Sequence, residues 1–261
     1  MRHHDEAIER FAARTGRRPE VLGLALTGSL ARGEERPDSD VDLVLVVDEP
    51  TWQAAVRAER VMYTETDGIG YEHGYYDVKL ATVAQLTAAA ERGDDPVRDS
   101  LATAKSLIDH GIGLPELLRR AAAVSDDRWQ DLAASQLAQA RLHGQYFLAH
   151  GLEHADPLLT AHAAVHLAVA AARTLLAVGH VRHPGPKQLL ERVRDLPGAP
   201  AGFADALSDL VTAPSADRAA PVLAVIEGVA GTVLPPSATL SRFVRDNELA
   251  WFTRVPPPEY R

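Results

Sequence analysis

Cysteine is missing altogether from this 261-residue chain. That excludes disulfides, thiolate metal sites and a cysteine nucleophile, and it fits a reducing compartment. Lysine is nearly missing too: Lys79, Lys105 and Lys187 stand beside 24 arginines, a bias read here as coding composition. No long hydrophobic run is free of titratable side chains. The nearest, residues 157–179, is alanine-rich and carries His162, His166 and Arg173. A membrane span should have few or no charges over that length, so the stretch reads as a buried helix of a bundle. The opening MRHHDEAIERF has no apolar central region and does not read as a signal peptide. The expectation is a cytoplasmic protein with no membrane part. There is no internal repeat and no low-complexity tract.

What is present is an ordinary globular composition, 46% apolar, on a chain long enough for two modest domains. The net charge of −9 is unevenly spread. Residues 1–110 hold 21 Asp and Glu against 13 Lys and Arg, while the remainder holds 15 against 14. An acidic N-terminal part repels phosphate backbones, which argues against an extended nucleic-acid track and suits a metal-loaded site or a cationic small molecule.

The two parts differ in pattern. The first alternates helix and strand: a helix over 3–14, a buried strand over 21–28 ended by Gly-Ser, and the clearest strand over 40–48. A helix follows over 51–63, a strand over 75–82, a helix over 83–93 and a weaker strand over 104–111. Near residues 110–115, HGIGLP marks a boundary. Beyond it, long alanine- and leucine-rich segments succeed one another with almost no strand signal. The expected fold is therefore an α/β (α+β) domain with a small mixed sheet over residues 1–112, followed by an all-α bundle over 113–261.

Within the first part, residues 27–43 read TGSLARGEERPDSDVDL. On a strand, alternate side chains share a face, so Asp40 and Asp42 project together while Val41 and Leu43 turn to the core. Two carboxylates that close repel by roughly 3 kcal/mol at an effective dielectric near 20, a cost that solvent or a bound cation must offset. Magnesium suits the pair, since it takes one or two carboxylates and completes its shell with water and phosphate oxygens. Ahead of them, Gly28 permits close backbone approach, Ser29 offers a hydroxyl, and free amides at a helix start favour an anion. A phosphate cradle beside a metal-binding carboxylate pair is the equipment for transferring a group from a nucleoside triphosphate. Asp77 stands in mid-strand, where an acid is unfavourable unless used. It can ligate metal, act as general base for an attacking hydroxyl, or do both. Lys79 shares its face and can neutralise either Asp77 or a phosphate. Glu72 and His73 are rival bases on a glycine-broken segment.

The stretch closely resembles the signature of the minimal nucleotidyltransferases of the DNA polymerase β superfamily. Gly28, Ser29, Arg32, Gly33, Ser39, Asp40 and Asp42 all match it. The resemblance implies a mixed sheet with Asp40 and Asp42 on one strand and the third carboxylate, assigned to Asp77, on a neighbour. It implies that Gly28 and Ser29 contact the triphosphate, that Arg32 and Ser39 belong to the nucleotide site, and that two Mg2+ ions bridge substrate and enzyme at Asp40, Asp42 and Asp77. Arg32 and Lys79 are the candidates to stabilise leaving pyrophosphate. The helical part is similar to the bundle of antibiotic (aminoglycoside-type) nucleotidyltransferases, and HPGPKQLL (183–190) resembles a proline-lysine element of such proteins.

The expected activity is transfer of AMP from ATP to a hydroxyl of a small acceptor such as an aminoglycoside-type antibiotic, with the helical part selecting the acceptor. A macromolecular acceptor, protein or tRNA, and a non-enzymatic nucleotide-binding module are the competing readings. Lys187 is read either as a solvated helix-start lysine or as a nucleotide or acceptor contact. His162 and His166 have metal-ligand spacing on a helix, but their Ala and Val neighbours favour packing. Arg173 and His180 fit the loose Arg-x(4–6)-His pattern of HEPN-type ribonucleases, although Gly179 places His180 beyond the helix.

Overall fold

The structure is a computed structural model and describes residues 1–260. The chain forms two compact units, Met1–Ala123 and Val124–Arg261.

The first unit runs α1 (Arg2–Thr15), β1 (Val21–Leu26), α2 (Gly28–Arg32), β2 (Val41–Val47), α3 (Glu49–Arg57), β3 (Met62–Glu65), β4 (Tyr76–Ala81), α4 (Val83–Arg92), α5 (Asp95–Ala102), β5 (Lys105–Asp109) and α6 (Leu114–Ala122). Its sheet has the order β3-β4-β2-β1-β5. β2 and β4 are parallel and the other pairs antiparallel, so the sheet is mixed, as expected.

Alternation divides the sheet cleanly. One face presents Leu24, Leu26, Val41, Leu43, Leu45, Tyr76 and Val78 to Ala7 and Phe11 of α1. Tyr76 is fully buried there and donates its hydroxyl proton to the carbonyl of Ala7 at 2.9 Å. The other face presents Ala25, Val44, Val46 and Ala81 to Leu86, Leu101, Leu114 and Leu118 of α4, α5 and α6.

Two elements differ from the sequence reading. The predicted 51–63 helix stops at Arg57, and Glu59 turns the chain with φ +52 into β3, an edge strand. The change of pattern near residue 112 also precedes the structural division by one helix. α6 resembles the later helices in composition, but it buries Leu114, Leu118 and Ala121 against the sheet.

The second unit is helical: α7 (Asp126–Leu142), a π-helical turn (His143–Phe147), α8 (Leu148–Glu153), α9 (Pro157–Val178), α10 (Leu189–Arg194), α11 (Phe203–Thr212), α12 (Ala216–Ala230), α13 (Thr239–Asn247) and α14 (Ala250–Thr253). α9 is its axis. Capped by the Asp156 carboxylate, it packs against α7, α8, α10, α11 and α12 through Ala163, Ala164, Leu167, Ala171, Ala172 and Leu176. Alanines on facing surfaces let helices approach closely. By length and composition α9 is apolar enough to cross a membrane, and 67% of its apolar window is buried within the protein. Arg141 clasps the unit from α7. Its guanidinium meets the Glu227 carboxylate bidentately at 2.6 and 2.7 Å and donates to the Leu234 carbonyl at 2.8 Å.

Candidate active site

The parallel pairing of β2 with β4 sets Asp42 directly opposite Asp77. Asp40 lies two residues before Asp42, on the same face by alternation. Oxygens of the three carboxylates lie within 4.8 Å of one another. Along β2 the apolar face of Val46 and Val44, covered by α4–α6, thus continues into a cluster of acids.

That cluster is electrostatically uncomfortable. Burial first, then the carboxylates of Asp40 and Asp77, push the Asp42 carboxyl up to about 6, against the opposing charges of Lys79 and Arg32. Asp77 is raised as well, first by burial and then by Asp40, against the pull of Lys79. One oxygen of Asp77, Oδ1, is buried without a hydrogen-bond partner. Buried polar atoms are normally satisfied, so an orphaned carboxylate oxygen among three acids marks a place for a cation. The donors are hard oxygens only, the set that suits Mg2+ rather than a thiophilic ion.

Gly28 starts α2 with φ +67, and a Cβ there would sit 1.9 Å from Asp42 Oδ2. Glycine is required at this position for two reasons: the left-handed backbone, and the room its hydrogen leaves for the Asp42 carboxylate. The amide of Thr27 donates to the Asp42 carbonyl at 2.9 Å, fixing the turn to β2. Ser29 is half-buried in the first turn of α2. Arg32 closes that helix and donates from Nε to Glu34 Oε2 at 2.6 Å. Ser39 has a structural duty. Its Oγ accepts the Arg36 amide at 2.8 Å and its carbonyl accepts the Tyr71 hydroxyl at 2.6 Å, shaping the approach to β2.

Lys79 is exposed on the face of Asp77. Tyr75 precedes Asp77 by two residues, and its hydroxyl is hydrogen-bonded to Asp40, which raises the phenol above its ordinary range. The sequence reading missed it, although alternation along YYDVK already put Tyr75, Asp77 and Lys79 on one side. Glu72 and His73 are exposed, pair with each other at 3.3 Å, and lie outside the carboxylate cluster. A cavity of about 440 Å3 lined by Leu45, Val47, Tyr63 and Leu80 contains none of the three acids.

In the helical unit, Lys187 is exposed in the turn Pro186–Gln188, after Gly185 with φ +96. Arg173 is buried and donates to the Pro258 carbonyl at 2.6 Å. α9 ends at Val178, and His180 stacks on Trp129 with centroids 5.6 Å apart. Both residues of the Arg-His pattern are thus in packing roles.

Residues 6–91 match the model of the nucleotidyltransferase domain, a span that contains the whole carboxylate cluster. The enzyme is a nucleotidyltransferase, and the domain implies transfer of a nucleoside monophosphate from a nucleoside triphosphate, generally with a divalent metal. Among solved structures the chain is similar to a nucleotidyltransferase-like protein from Exiguobacterium sibiricum 255-15, at 12% identity and a TM-score of 0.47, over 96% of this chain and 87% of that one. A likeness that distant assigns neither activity nor substrate. No curated protein matches the chain.

Proposed function

We propose that the enzyme transfers AMP from ATP to a hydroxyl of a small, cationic, aminoglycoside-type acceptor and releases pyrophosphate. The observation that carries the site assignment is the convergence of Asp40, Asp42 and Asp77 around a buried, unpartnered oxygen of Asp77. The choice of ATP, of two Mg2+ ions and of an antibiotic-like acceptor rests on the resemblance of GSLARGEERPDSDVDL and of the helical part. The acidic N-terminal unit suits a polycation, and the lack of cysteine fits a cytoplasmic enzyme.

In this reading Asp40, Asp42 and Asp77 hold the metal. When bound, it neutralises triphosphate charge and stabilises the leaving pyrophosphate. Asp77 takes the proton of the acceptor hydroxyl, and its raised pKa makes it a stronger base than an ordinary carboxylate. Tyr75 steadies Asp40 by its hydrogen bond. The backbone at Gly28 and Ser29 receives the phosphates, while Arg32 and Lys79 face the departing pyrophosphate with positive charge. Ser39 shapes this site from behind. The hydroxyl oxygen forms a bond to the α-phosphorus as the bond to the bridging oxygen breaks, and pyrophosphate carries that electron pair away. The helical part, residues 113–261 in the sequence reading, selects the acceptor, and Lys187 contributes a nucleotide or acceptor contact there.

The test is pyrophosphate release from each of the four nucleoside triphosphates with Mg2+, offered aminoglycosides, lincosamides, tRNA or cell protein as acceptor. Release with ATP and one cationic small molecule, abolished in Asp40→Asn, is the expected result; Lys187→Ala should raise a KM and leave kcat unchanged. Release only with tRNA or protein would replace the small acceptor by a macromolecule. No release from wild-type protein that melts cooperatively would overturn the proposal.

A further inference from the structure

The helical unit holds a second ligand cluster that nucleotidyl transfer does not use. His162 and His166 lie one turn apart on α9, so their rings share a face, with centroids 4.1 Å apart. His143 opens the π-helical turn packed beside α9, and its ring lies 4.7 Å from His166 and 5.5 Å from His162. One nitrogen from each of the three rings falls within 4.8 Å of the other two.

Stacking alone leaves three features unexplained. His143 is only 5% exposed, yet its Nδ1 is buried with no hydrogen-bond partner. Such atoms normally find protein or water. The ring is also carried by an inserted π turn, a local departure from α-helical bonding that recurs at functional sites. Finally, Glu259 Oε1 lies 3.2 Å from His166 Nδ1. A carboxylate in that position fixes the ring and leaves Nε2 for a metal, as carboxylate partners of ligating histidines commonly do. Phe147 and Phe243 flank His143 at 5.2 and 6.1 Å, giving the cluster an apolar wall.

We propose that His143, His162 and His166 bind a divalent transition metal of the zinc class, with Glu259 orienting His166. Imidazole nitrogens select zinc, cobalt or copper over magnesium, so the chain would carry two metal sites of opposite hardness. Zn–N distances of about 2.0–2.1 Å put tetrahedral ligands roughly 3.4 Å apart. Rotation of the exposed His162 side chain closes the remaining gap. Three protein ligands leave a fourth position for water or another ligand. Through Glu259, metal binding would fasten the turn Pro258–Tyr260 to α9, and so raise thermal stability by linkage.

Cobalt(II) titration of the full chain tests this without reference to turnover. The expected result is one cobalt per chain with the intense visible absorption of four- or five-coordinate nitrogen ligation, displaced by zinc, together with a higher melting temperature in zinc. His162→Ala alters a surface side chain and should weaken binding about 100-fold or more, while Glu259→Gln should cost about 10–100-fold. Asp42→Asn should leave the cobalt spectrum unchanged. Absence of that spectrum, or the same affinity in His162→Ala, would overturn the site. Wild-type affinity in Glu259→Gln would overturn the role given to Glu259.

Discussion

At Asp42 three unfavourable influences meet: burial, the carboxylate of Asp40 and that of Asp77. The folded protein therefore holds this proton up to about pH 6, while the unfolded chain releases it near 3.8. Between those values the folded state binds more protons. Stability of the metal-free protein must then fall as pH rises through the window, by on the order of 2 kcal/mol. A divalent cation reverses the sign, because it binds the anion and competes with the proton. Below pH 6 its affinity should drop by about tenfold per unit. Thermal melts with and without Mg2+ should nearly coincide at pH 5 and separate at pH 8, and Asp40→Asn should narrow that separation. Coincident melts at both pH values would contradict the metal assignment. Much of this is legible in the sequence, since alternation along DVDL and YYDVK puts Asp40 with Asp42 and Asp77 with Lys79. Tyr75 obeys the same rule, but the register that brings its hydroxyl to Asp40 is a property of two strands and is written in neither. In the sequence Gly28 reads as room for a ligand; the structure shows that its missing side chain first of all makes room for Asp42.

Among the elements, α4, α5 and α6, already packed through one apolar cluster, are also tied together by one buried cation. Arg98 is 1% exposed and donates from Nε to the Gly93 carbonyl at 2.9 Å, and from Nη2 to that of Ala90 at 3.2 Å. Its Nη1 reaches the carbonyls of Ala121, at 3.1 Å, and Ala123. These carbonyls belong to the last turns of α4 and α6, where backbone acceptors lack helical partners and the helix end is partially negative. Arg98→Met should cost about 3–5 kcal/mol, measured by urea unfolding, because it strands several buried acceptors at once. A loss below about 1 kcal/mol would mean that water replaces the guanidinium. Nothing in the linear pattern separates such an arginine from the solvated ones. The same limit explains β3: no glycine or proline punctuates QAAVRAERVMY, so helical periodicity runs on past Arg57, where the chain in fact turns at Glu59. The π turn is equally silent, because ARLHGQYFLAH has the pattern of one continuous helix.

For the whole molecule, charge is the property that composition predicts and folding preserves. The N-terminal 110 residues carry a net −8, so a cationic acceptor should be drawn to this unit and a neutral one should not. Screening shortens from about 10 Å at 0.1 M salt to about 3 Å at 1 M. The KM of a polycationic acceptor should therefore rise several-fold across that range while the KM of ATP-Mg changes less; an acceptor KM indifferent to salt would dissociate the charge from recognition. The mixed sheet and helical second part are readable because their periods, two and 3.6, are local. The division after Ala123 is not, since α6 is told from its successors only by what it packs against. One further property comes from the register between β2 and β4. Asp42 and Asp77 face each other only through a parallel pairing, and parallel neighbours require a crossover that the ribosome must finish first. A nascent chain that has already exposed Gly28, Asp40 and Asp42 still lacks the third carboxylate of the cluster until β4 emerges and docks. A slip of one residue would turn Asp77 toward the apolar core and Tyr76 outward. The acidic triad is thus completed in one step, when β4 (Tyr76–Ala81) docks in register on β2, and a misregistered copy lacks it.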